Sequence, residues 1–198
     1  MLSYRSHENV DAKGAGVDSK LIDDLVMSGP HWAYSLALYS KEGVNSACLL
    51  LQDDYGVDVN ILLLGLYGAA QLDIGLTDMA IELLDEEVRE YREFVLIPLR
   101  GARRRLKDMP LGGTGETVRN GIKETELRAE QLEQAMIMRW LGNAKPTPSK
   151  PSLVATAKSI VDHFAGKIGK ADALALDHRV PQAISLVVSA ASSIGMGR

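Results

Sequence analysis

Apolar residues recur along most of the chain at intervals of three and four, the spacing of one face of a helix. Leu21, Ile22, Leu25 and Val26 mark a short first helix that ends at Gly29-Pro30. Trp32, Leu36 and Tyr39 mark a second, stopping near Gly43, and Val44, Ala47, Cys48 and Leu51 a third. After Thr77, whose hydroxyl can cap a helix, Ile81, Leu84, Val88, Tyr91 and Val95 form a clean amphipathic stripe. Pro98 can sit in the first turn of the following helix or kink a continuous one. The segment "DMPLGGTGE" breaks the chain near 108–116. Val118, Ile122, Thr125, Ala129, Leu132 and Met136 then line up as another long helix ending near Gly142. No segment alternates polar and apolar residues long enough to make a strand, so the predicted class is all-α.

One segment departs from amphipathic patterning. Ile61 to Leu64 and Leu66 are apolar all round, so this helix should be wrapped by its neighbours as the centre of a compact bundle. Burying those side chains would supply roughly 8–15 kcal/mol before chain entropy is counted. Gly65, Gly68 and Ala69 give it a low-relief face that another helix can approach. The run from Val59 to Leu72 would span roughly 21 Å as a helix, short of the roughly 30 Å of a bilayer's hydrocarbon core, so it reads as buried and not as membrane-spanning. It follows a polar corner, "LQDDYGVDVN". Here Gly56 is the expected helix stop, Asn60 the expected N-cap, and Gln52 is expected to bond the turn backbone.

The organisation expected from these patterns has four parts. Residues 1–18 are polar and glycine-dotted and read as a flexible tail; 19–143 form the helical bundle. Residues 144–152, "AKPTPSKPS", hold three prolines and read as a linker. Residues 153–198 carry a C-terminal helical pair, built on Leu153, Ala157, Ile160, Val161 and Phe164, then on Ile184, Val187, Val188, Ala191 and Ile194 after Pro181. That pair either docks on the bundle or contacts a partner, including a second copy of the chain.

Composition narrows the function. The chain of 198 residues is 46% hydrophobic but only 5% aromatic, so its core is aliphatic and alanine-rich. A net charge of −4 weighs against a protein whose main work is gripping nucleic acid. The single cysteine, Cys48, excludes an intrachain disulfide and a multi-cysteine zinc site, and suits a reducing compartment. With no apolar stretch of signal-peptide length at the N-terminus, the expected location is the cytoplasm of a bacterium-like cell.

Several strings taken together resemble one family: "WAYSLALY", "GVNSACLLLQDDYGVDVNILLL", "IPLRGARRRLK" and "IKETELRAEQLE". It is a domain-of-unknown-function family of small proteobacterial cytoplasmic proteins. The shared pattern falls here on Trp32, Gly43-Val44, Cys48-Leu49, Leu51-Gln52, Gly56 to Asn60, Pro98 to Arg100, and Glu126 to Glu130. The resemblance covers about residues 30 to 140 and implies a compact all-helical domain, with no catalytic residue to carry over. Where the family often has a second tryptophan after the apolar helix, this chain has Tyr67.

Two groups of residues could carry chemistry. Arg100, Arg103, Arg104 and Lys107 stand at spacings of three, four and seven and share one helix face, suited to phosphate, nucleic acid or an acidic protein surface. The competing expectation is that acids at 82–93 and at Glu124, Glu126, Glu130 and Glu133 absorb them as intramolecular ion pairs. The second group is the acidic corner, where Asp53, Asp54 and Asp58 resemble a magnesium-binding cluster but lack an unbroken helix to hold them on one face. His7, His31, His163 and His178 are scattered and read as surface residues, and Cys48 as core. No phosphate loop, nucleophile elbow or dinucleotide fingerprint is present. The expected function is therefore a non-catalytic interaction or adaptor protein with no cofactor, taking a protein or ribonucleoprotein partner on Arg100, Arg103, Arg104 and Lys107. The alternative is a small magnesium-dependent enzyme or binder of a phosphorylated ligand, with Asp54 and Asp58 on the metal and Arg100 and Arg103 on phosphate.

Overall fold

A computed structural model describes residues 19–26 and 29–194 of the chain. The expected tail at 1–18 and the close of the first helix at 27–28 lie outside the described residues. Helix α1 covers 19–26. It is followed by α2 (Pro30–Tyr39), α3 (Val44–Tyr55), α4 (Val59–Gln71), α5 (Asp78–Tyr91), a π-helical segment (Arg92–Leu96), α6 (Ile97–Lys107), α7 (Gly112–Gly142), α8 (Leu153–Lys167), α9 (Ala171–Leu176) and α10 (Arg179–Ser193). The described residues contain no strand, and the fold is all-α.

Helix α4 is the axis of the bundle. It is buried continuously from Val59 to Ala69 and packs against α2, α3, α7, α8 and α10. Gly65 has a direct role: a Cβ there would stand 2.6 Å from Ile160 Cδ1, so its absence lets α8 lie against α4. Thr77 caps α5 as expected, its Oγ1 accepting the Ala80 N–H at 3.2 Å.

The corner before α4 is built differently from expectation in two places. Gly56 does end α3, in the left-handed region at φ +70°, with its N–H donating to the Gln52 carbonyl at 3.0 Å. The N-cap of α4, however, is Asp58 and not Asn60. Asp58 Oδ1 accepts the Asn60 and Ile61 N–H groups at 2.9 and 3.1 Å. A carboxylate is the stronger acceptor at the positive end of a helix, and its use there frees the Asn60 side chain to turn into the core. Gln52 also differs: its Nε2 donates to Asp53 Oδ1 at 3.3 Å, and only its main-chain carbonyl serves the turn.

Pro98 sits in the first turn of α6, one of the two places expected for it, and does not break the helical path. The backbone stays right-handed helical from α5 through α6, and the π segment lies just before the proline. Pro98 cannot donate to the carbonyl four residues back, and its ring crowds that carbonyl; the wider π turn absorbs both effects. The break expected over 108–116 is confined to its first residues, since α7 already begins at Gly112, where φ is +62°.

The C-terminal pair docks on the bundle. Ala157, Ile160, Val161, Phe164, Val187 and Ala191 join the same buried cluster as α4. The proline-rich connection is tied down as well: the Thr147 N–H and hydroxyl both donate to the Asp73 carbonyl, at 2.8 and 2.9 Å. Helix α6 is the exception to this packing. It buries no residue, and in α7 the buried positions begin only at Glu126. The two therefore form an antiparallel arm whose outer half stands clear of the core.

Candidate functional site

The four cations of α6 have two different fates. Arg100 Nη2 donates to Glu130 Oε1 at 2.8 Å, and Arg103 grips Glu126 through Nε and Nη2, the latter at 3.1 Å from Oε1. These pairs lock the root of the arm to α7. Arg104 instead reaches Asp53 of α3 at 2.9 Å in an exposed pair, worth little in water. Lys107 has no ion-pair partner among the described residues and is exposed.

Arg104 and Lys107 face an open cleft of about 1040 Å³ between α3 and the arm. Asn45 and Leu49 line it from α3, and Lys123 and Leu127 from α7. Leu49 and Leu127 are both exposed large apolar side chains. Asp53, Asp108 and Glu124 share the lining, so the cleft carries charges of both signs around apolar contacts.

A second constellation lies in the core. Asn60 Nδ2 donates to Glu133 Oε2 at 2.6 Å, Gln134 Nε2 donates to Asn60 Oδ1 at 2.8 Å, and Ser35 Oγ donates to Gln134 Oε1 at 3.0 Å. Beside this chain, Arg92 bridges two buried carboxylates: Nη1 to Asp58 Oδ2 at 3.0 Å and Nη2 to Asp85 Oδ1 at 2.5 Å. Its guanidinium also stacks over Phe164, 5.3 Å from the ring centroid. Asp85 is completed by His163 Nε2 at 3.0 Å and Lys167 Nζ at 2.9 Å.

The two buried acids are driven in opposite directions. Burial alone would raise the Asp85 pKa, but Lys167, Arg92 and His163 outweigh it and hold the carboxyl at about 2. Glu133 is pushed well above the ordinary range, first by burial and then by the nearby Asp58 carboxylate, with Asn60, Arg92 and Arg100 offsetting only part. Its Oε1 has no hydrogen-bond partner among the described residues.

The amino-acid pattern singled out Asp58 and Asn60 only as corner residues and Glu133 only as an ion-pair acid, and did not mark these groups as a buried network, although a signal was there. Asp85 lies on the same stripe as Ile81 and Val88, and Glu133 on that of Ala129 and Ile137, so each is a charge on an apolar face. His31 and His163 were expected on the surface. His31 is instead buried, and burial lowers its pKa to about 4, while His163 is partly covered against Asp85. Cys48 is a core residue as expected, its thiol pushed up to about 12 by burial.

The acidic corner does not gather a cation site. Asp54 Oδ2 pairs with Arg179 at 3.0 Å on the surface, while Asp58 is spent on the α4 cap and Arg92. Among the described residues no group of three or more His, Cys, Asp or Glu could hold a metal ion. Nor is any described helix long and apolar enough to cross a membrane.

Fold and sites together define an all-helical protein with a charged, bonded core and a projecting two-helix arm. The chain belongs to the DUF2390 family of proteins of unknown function, whose sequence model matches residues 30–137, from the start of α2 into the buried half of α7. No curated protein and no solved structure matches the chain.

Proposed function

We propose that this protein is a non-catalytic interaction protein of the bacterial cytoplasm that takes a protein partner in the cleft between α3 and the α6–α7 arm. One observation carries the reading: the arm makes little contact with the core, yet turns Arg104, Lys107 and Lys123 toward a cleft that also exposes Leu49 and Leu127. Apolar anchors ringed by charges of both signs suit a protein surface. Phosphate backbones would meet Asp53, Asp108 and Glu124 in the same cleft, which favours protein over ribonucleoprotein. Arg100 and Arg103 act within the molecule, holding the arm's angle through Glu130 and Glu126.

The test is a photo-crosslinking side chain at Leu127 in living cells, with a matched probe at Val154, which is exposed on α8. A protein adduct formed from Leu127, absent from Val154 and lost in Arg104→Glu/Lys107→Glu, is the expected result. An adduct that digests with nuclease, or one that survives the double reversal in a folded protein, would overturn the reading.

A further inference from the structure

The outward face of the long α5–α6 helix has no partner among the described residues, and it is its own complement. The backbone continues helically through the π segment, which adds one residue to its turn, so Glu90, Phe94, Pro98 and Arg105 follow one stripe with Ile97 and Gly101 on its flank, opposite the buried positions Leu84, Val88 and Leu96. Phe94 is 75% and Ile97 52% exposed, large apolar surfaces for solvent to hold. Nothing lies within 4 Å of where a Cβ on Gly101 would stand, which leaves an open notch one turn beyond Ile97. The charge along the stripe then reverses. Glu86, Glu90 and Glu93 flank the apolar centre on the α5 side and Arg105 on the α6 side. Glu90, Glu93 and Arg105 make no ion pair within the described residues.

We propose that a second copy of this chain docks on this face, antiparallel, about a two-fold axis beside Ile97 and Pro98. In that register Glu90 meets Arg105 of the second copy, Phe94 enters the notch at Gly101 of the second copy, and Ile97 packs on Pro98 of the second copy. Each contact occurs twice, as an isologous interface requires. The occupant follows from the charge pattern. A uniformly acidic or uniformly basic partner would be repelled by one half of the stripe. A helix with an apolar centre and a sign change along its length satisfies both halves, and this helix reversed is such a partner. The contact leaves Arg104 and Lys107 on the flank facing α3, so a dimer would present two open clefts. It also differs from the oligomer contact expected at the C-terminal helices, where an apolar cleft lined by Leu174, Ile184 and Val188 offers a rival surface.

Sedimentation velocity from about 1 µM to about 500 µM decides the matter, a range covering the affinities of weak to moderate dimers. The expected result is a dimer whose dissociation constant rises roughly tenfold or more in Glu90→Arg and in Arg105→Glu, since each variant turns two attractive pairs into repulsive ones. Glu90→Arg with Arg105→Glu should restore the dimer, because the reversed charges again complement each other. Both positions are exposed, and circular dichroism checks that the variants fold. Separately, Ile97→Cys should form a covalent dimer on mild oxidation, with the buried Cys48 standing aside as a competitor. A wild-type monomer throughout the range would overturn the proposal. So would a dimer indifferent to both single reversals, a swap that fails to restore it, or oxidative dimers formed by Leu176→Cys on α9 and not by Ile97→Cys.

Discussion

Replacing Glu133 by glutamine should make the protein progressively more stable than wild type as the pH rises. Glu133 is fully buried, and one carboxylate oxygen accepts from Asn60 while the other has no partner among the described residues. Burial and the Asp58 charge raise its pKa in the folded state. The unfolded chain releases this proton at an ordinary pH, so over the window between the two pKa values the native state binds more protons than the unfolded state. Stability is then fully present below the ordinary glutamate range and falls as pH rises through the folded-state value. One proton corresponds to a slope of at most about 1.4 kcal/mol per pH unit. Glutamine cannot ionise and removes that slope while keeping the size and an acceptor for Asn60. His31 titrates in the opposite sense, because its folded pKa is lowered to about 4, but it does so equally in both proteins and cancels in the difference. Urea melts of the pair from about pH 5.5 to about pH 8 should diverge, by up to about 1.4 kcal/mol per unit, or a few degrees in Tm for a chain of this size. Parallel stability curves would show that Glu133 ionises normally in the fold, and the account of a carboxyl whose pKa is raised by burial would fail.

Two further substitutions probe the same network. Arg92→Met should destabilise by about 3–5 kcal/mol, because Asp58 and Asp85 are left buried without their shared cation; denaturant titration measures it, and Asp85→Asn in the same chain should recover part of the loss. Asn60→Ala should cost about 2–4 kcal/mol, more than the about 1 kcal/mol of a lost cap, since it strips a donor from Glu133 and an acceptor from Gln134 while the Asp58 cap survives. A loss near 1 kcal/mol in equilibrium unfolding would return Asn60 to a simple capping role.

What could be read from the amino-acid pattern was whatever depends on local periodicity. The apolar run after Asn60, the Gly56 stop and the Thr77 cap each involve residues within a turn or two of one another, and each appears in the fold. The cap at Asp58 was missed because Asn60, two residues later, is also a residue type that caps helices. The carboxylate's advantage at the helix end is reinforced by Glu133 and Gln134, more than seventy residues away in the chain, which claim the Asn60 side chain. The cationic face was legible as a face, but its division was not. Whether an arginine points to Glu126 or to solvent depends on where α7 lies against α6, and helical spacing does not carry that information. For the same reason, charges at Asp85 and Glu133 were visible on apolar stripes without being recognisable as partners of Arg92 and Asn60.

The two halves of α7 explain how a charged core and a projecting arm belong to one design. From Glu126 onward α7 lies in the bundle and supplies Glu133 and Gln134 to the network around Asn60. Before Glu126 it lies in the arm, and at the junction Glu126 and Glu130 hold Arg103 and Arg100. The arm is thus anchored through directional, charge-assisted bonds more than through apolar burial, which in α6 goes no further than the half-buried Leu99 and Leu106. Such bonds set an angle that a greasy contact would leave free to slide. On the other side of the arm's root, Arg92 sits in the π segment that α5 uses to pass Pro98 without breaking, and it ties that junction to Asp58 at the head of the central helix. The buried charges therefore fall where α4, α5 and the arm converge. Placing polar groups there costs stability relative to an apolar core, and what they supply in return is directional bonding that sets one orientation of α6 against α7.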